Sequence, residues 1–155
     1  MLVEQSHEQM WLFVFFTHFL LLSMAFVPKN NGEWKLRFFA KKASTALTNG
    51  GAVIQDTTDS GRITVAGTGT TFVAGILKVS ASSGDATNTP VPYLVPMHAA
   101  PVVIADVSAA LTPGTEYDFA AGGASINQGA TSNKPFLATK SISSSKAEGI
   151  LKFTR

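Results

Sequence analysis

The chain has 155 residues, which suits one domain with a core of its own, and a charged fraction of only 14%, too low for long solvent-facing helices. Its net charge is +2 with acids and bases interspersed, so no concentrated field is available to hold nucleic acid. Cysteine is absent, which excludes a disulfide framework, a thiolate nucleophile and the cysteine-based zinc sites.

An uncharged apolar run, Met10 to Val27, comes first, bounded by Glu8 and Lys29. It is short for a membrane span, which needs about 20 apolar residues. It also lacks the basic start of a signal peptide, because Glu4, His7 and Glu8 precede it. Residues 1–23 are thus an over-extended start ahead of Met24, a signal ending near Ser23-Met24-Ala25, or an anchor that keeps Lys29, Lys35 and Arg37 on the cytoplasmic side. A docked amphipathic helix fits poorly, since the run is apolar on every face. A membrane is a partner only if residues 10–27 are retained. Residues 24–33 then form a short N-terminal arm, and residues 34–155 the folded domain.

From Trp34 the periodicity changes to two. In Trp34-Lys35-Leu36-Arg37-Phe38 apolar residues alternate with basic ones, the pattern of a half-buried strand whose other face meets solvent or a partner. Ala52 to Gln55 and Arg62 to Val65 flank Asp59-Ser60-Gly61 and predict a hairpin. Phe72 to Val79 is nearly continuous in apolar residues and predicts a central strand buried on both faces. Val91 to Pro96 holds prolines that predict an edge strand or strand ends, because proline cannot donate to a ladder. Val102 to Val107, Glu116 to Phe119, Ser125 to Gln128, Phe136 to Ile142 and Gly149 to Thr154 complete the series. The expectation is an all-β single domain, a small β-barrel or β-sandwich of about nine or ten short, mainly antiparallel strands behind an apolar N-terminal segment.

Catalysis needs convergent titratable groups, and the sequence offers few. His7 and His18 fall in the leader, and His98 sits in a Pro96-Met97-His98-Ala99 loop without a second ligand or a nucleophile motif nearby. Asp56 and Asp59 share a turn, where Asp ordinarily accepts backbone hydrogen bonds. Asp106, on an apolar strand, needs a partner such as Arg62 or a backbone N–H, or else an exposed face. Gly67-Thr68-Gly69-Thr70-Thr71 lacks the Lys-Ser/Thr ending of a phosphate loop and precedes a strand, and Gly123-Ala124-Ser125-Ile126-Asn127 lacks the last glycine of a nucleophile elbow. No catalytic, metal or cofactor-binding residue is assigned.

The order of features resembles the head decoration, or cement, proteins of tailed bacteriophages. The likeness runs from Phe38 to Phe153. It is carried by Gly61-Arg62-Ile63, the Phe72 to Val79 strand, VPYLVP, VVIADVS, LTPGTEYDFA and FLATKSISSSKAEGILKF, chiefly Ala105-Asp106-Val107 and Tyr117-Asp118-Phe119. The resemblance implies a small β-barrel or β-sandwich, a homo-oligomer and often a trimer, bound to the major capsid protein on the virion surface after assembly in the host cytoplasm. It implies no catalysis and no cofactor. On that footing Ala25 to Trp34 is expected to be a capsid-binding arm that adds a strand to the coat protein, with Phe26, Val27 and Trp34 as anchors. In the alternative for Trp34, it caps the core. Another class of function stays open: an exported or membrane-tethered β-domain acting as a surface adhesion module through the apolar run. A small hydrolase or lyase on a β-barrel is a third reading.

Overall fold

A computed structural model describes residues 25–29, 34–59, 61–86, 88–129 and 133–154. The leader, with its start, signal and anchor readings, lies outside these residues. Among them there are strands and no helix: β1 Phe26–Pro28, β2 Trp34–Lys41, β3 Ala52–Gln55, β4 Arg62–Val65, β5 Gly75–Leu77, β6 Pro90–Pro96, β7 Val102–Asp106, β8 Glu116–Phe119, β9 Ile126–Asn127, β10 Phe136–Ser141 and β11 Lys146–Leu151. The all-β class expected from the sequence is what forms, and it combines two units. Strands β2-β4-β3-β5-β6 close into a barrel, and β1-β7-β11-β10-β8-β9 make a six-stranded sheet. All strand pairings are antiparallel except β2 with β4.

Alternation along the strands divides the core in two. Val53, Ile63, Leu77, Val91 and Tyr93 fill the barrel with Leu47 and Ala81. Their neighbours on the opposite face, Ala52, Ala66 and Ile76, turn outward and pack on the sheet through Phe26, Val103, Ala105, Phe119, Phe136 and Leu151. Phe26 meets Phe119 edge to face at 5.8 Å. Two bridges tighten the assembly: Val73 pairs with Phe153 to sew barrel to sheet, and Ile126 pairs with Val107 as the sheet curls round.

In both units an aromatic ring lies over a glycine. A Cβ on Gly75 would come within 2.2 Å of the Tyr93 ring, and one on Gly149 within 2.3 Å of the Phe136 ring, so only glycine lets these rings lie flat on the neighbouring strand.

The structure refines four expectations. The segment Phe72 to Val79 forms a strand only at Gly75–Leu77, which is buried throughout, while Phe72 and Val79 are exposed. Strand β6 is no edge: it pairs with β2 from Pro90 to Pro96 and with β5 at Tyr93 and Leu94. Its prolines are accommodated by parity. The Lys41 amide donates to Thr89 and the Lys78 amide to Pro92, so odd positions of this stretch address β2 and even ones β5. Pro90, Pro92 and Pro96 therefore lack their N–H on the side of the three-residue β5, where Leu94 is the one even-numbered residue of β6 in register. Asp106 pairs with Lys146, its cross-strand neighbour on β11, while Arg62 bonds Asp59 at 3.1 Å. Finally, the described part of the expected arm pairs within the fold: β1 lies along β7 in the register Phe26↔Ala105, Val27↔Ile104, Pro28↔Val103.

Candidate functional site

The expected anchors Phe26, Val27 and Trp34 do not form one exposed surface. Phe26 is 0% exposed, Val27 is half-buried within β1, and Trp34 packs edge to face on Phe153 at 5.6 Å against the core between barrel and sheet. The outer edge of β1 offers little to a partner strand. Asp106 N–H donates to Ala25 and Lys29 N–H to Val102, so Phe26 and Pro28 are the residues that face away from β7. Phe26 already donates its N–H to Gly50 at 3.0 Å, and Pro28 has no N–H. Within the described residues this segment is a paired strand of the sheet.

The accessible edge belongs to β2. Strand β4 begins at Arg62, opposite Ala40, so among the described residues only Ala40 and Lys41 of β2 have a partner on that side. Lys42 N–H donates to Ile63 across this junction and Lys41 N–H to Thr89 on the other, which assigns even residues to the β4 side and odd ones to β6. Trp34, Leu36 and Phe38 therefore direct their N–H and C=O groups to an edge that no strand occupies among the described residues.

Side chains at this edge sort by face. Leu36 and Phe38 point out of the barrel and are 47% and 61% exposed, level with Leu94 and Pro92 on β6. Lys35 and Arg37 occupy the other face and are exposed. Where β2 and β4 part, a cleft of about 220 Å³ opens into the barrel between Arg37, Phe39, Gln55, Ile63, Tyr93 and Val95. Phe39 leans edge-on to Tyr93 at 6.3 Å. Burial pushes the Tyr93 hydroxyl above its ordinary pKa, and the nearby Arg37 acts against this.

Charged groups elsewhere are engaged in structure. Lys41, fully buried, donates its Nζ to the Lys42 and Thr45 carbonyls at 3.3 and 3.1 Å and closes that loop on the barrel. Asp118 is buried and accepts from Phe119 N–H, Asn133 Nδ2 and Gly69 N–H, tying the loops beside β4 and β10 together. Asp56 accepts from Lys42 Nζ at 2.7 Å, and from Thr58 Oγ1, Thr58 N–H and Asp59 N–H. Lys42 first, then these donors, hold its carboxyl well below the usual range. Glu116 is also held low, chiefly by its hydrogen bond to Lys152. Lys35 and Arg37 differ from Lys29, Lys42, Arg62, Lys146 and Lys152: among the described residues neither pairs with a carboxylate. His98 lies in an exposed loop, and no group of three or more metal-ligating side chains comes together among the described residues.

No protein-family model matches this chain, and no curated protein matches it.

The alternation of Trp34 to Phe38 marked this strand in the sequence. Its open edge had no sequence signal, because it arises from β4 meeting β2 only at Ala40, near the far end of that strand.

Proposed function

We propose that this chain is a structural virion protein that decorates and braces the outer surface of a tailed-phage capsid. In this reading it sits on the major capsid protein as a homo-oligomer, a trimer, and performs no catalysis. The observation that carries the reading is the outer wall of the barrel. There a strand edge without a partner among the described residues and the exposed Leu36 and Phe38 lie side by side, a surface suited to gripping another protein. The phrases behind the resemblance agree with it: Ala105-Asp106-Val107 runs along β7 and just past it, and Tyr117-Asp118-Phe119 lies in β8 of the same sheet.

A tethered adhesion module is favoured by one observation, the apolar run. Strand β1 takes Phe26 and Val27 out of that run, and what remains, Met10 to Met24, is shorter than the about 20 residues of a span. That favours decoration. The test is intact mass of the protein from its natural source, with sedimentation in the presence and absence of expanded capsids. Material starting near Met24 that pellets only with capsids supports decoration; full-length material that floats with lipid overturns it.

A further inference from the structure

We propose that the open edge of β2 takes an extended strand of the partner protein in which apolar residues alternate with Asp or Glu. This deepens the decoration reading, on which it rests for the partner's identity. The backbone supplies the first half of the case. Trp34, Leu36 and Phe38 present donors and acceptors in strand geometry, held in place by the β6 ladder on the other side, so an incoming strand meets a preformed template. Side chains supply the second half. On the outer face the new strand lies beside Leu36 and Phe38, which it would cover with apolar groups. On the other face it lies beside Lys35 and Arg37, which have no carboxylate partner among the described residues. Alternation of period two places its acids beside those cations and its apolar residues beside the wall.

A second copy of this chain is the poorer occupant. Pairing β2 with β2 sets Lys35 and Arg37 of one copy beside those of the other, and like charges opposed across strands repel.

The test uses the full chain and a short synthetic peptide alternating Glu and Val, with a Lys-for-Glu counterpart as control, followed by fluorescence anisotropy. Saturable binding of the acidic peptide alone is expected. Leu36→Pro removes an N–H that no strand among the described residues uses, and should weaken binding about tenfold, the effect of losing an edge bond or two. Lys35→Glu with Arg37→Glu should transfer the preference to the basic peptide, and these exposed changes probe the same edge if the proline variant does not fold. Absence of saturable binding, binding indifferent to these variants, or self-association that Leu36→Pro abolishes would each overturn the assignment. Expanded capsids separate the two claims. A chain that binds the acidic peptide as expected but ignores capsids supports the edge and sinks decoration; capsid binding untouched by the variants sinks the edge alone.

Discussion

Strand β1 finishes the six-stranded sheet with Phe26 bonded to Gly50 and Pro28 lacking an N–H, whereas Trp34, Leu36 and Phe38 of β2 have no partner on one side of the barrel among the described residues. Both are border strands rich in apolar residues. One is sealed and its Phe is in the core; the other is open and its Phe38 faces water. The difference lies in the neighbouring strand: Gly50 comes up against β1, while β4 is in register with β2 only at Ala40 and Lys41 among the described residues. Local composition sets strand formation, and the reach of the neighbour decides whether the edge is a seal or a binding surface.

The sharpest way to break the comparison is to truncate the two phenylalanines. Phe26→Ala should cost about 3–5 kcal/mol by emptying a fully buried site, and Phe38→Ala should stay within about 0.5 kcal/mol, both read from urea midpoints. Equal losses would mean that the Phe38 face is covered.

The glycines under the two rings come next. Gly149→Ala meets Phe136 and the Leu137 carbonyl at 2.3 and 2.4 Å in the closed sheet, and should cost about 3 kcal/mol. Gly75→Ala meets the buried Tyr93 ring at 2.2 Å and the Leu94 carbonyl at 2.7 Å, so a loss only slightly smaller, about 2 kcal/mol, is expected. A loss near zero would show that the strand backbone gives way there.

Smallest is the acid response of the barrel. Asp56 has a folded pKa below its unfolded value near 3.8. Its contribution is therefore present above that pH and is lost as pH falls through and below it. Asp56→Asn should flatten the stability profile below about pH 4 and leave the slope near neutrality unchanged. An unaltered acid limb would place that loss on other carboxylates, such as Glu116, whose pKa is also lowered.

Much of this fold was legible along the chain. The hairpin of Ala52–Gln55 with Arg62–Val65, the Val102–Asp106 strand and the closing pair Phe136–Ser141 with Lys146–Leu151 follow from alternation and turn residues. Strand β1 was hidden because Phe26 and Val27 end a uniformly apolar run that carries no period. In β6 the expected alternative of a strand end holds at Pro96, but the strand's inner place was hidden because the harmlessness of Pro92 depends on which neighbour it faces, a matter of parity between strands distant in sequence. The open edge escaped for a related reason: it is a mismatch of strand lengths, visible only once β2 and β4 are side by side.

The nesting of the two units also orders their birth on the ribosome. Every barrel strand lies between Trp34 and Pro96, while the sheet draws on β1 before that stretch and on β7 to β11 after it. Synthesis proceeds at about 5–20 residues per second, so the barrel strands have all emerged while β1 still waits for Val103 to Ala105. For those seconds Phe26 stands exposed next to a closing barrel, and the sheet is completed by a strand that was made first and docks late. Pulsed hydrogen exchange on stalled chains would register protection at Leu94 before it appears at Val27.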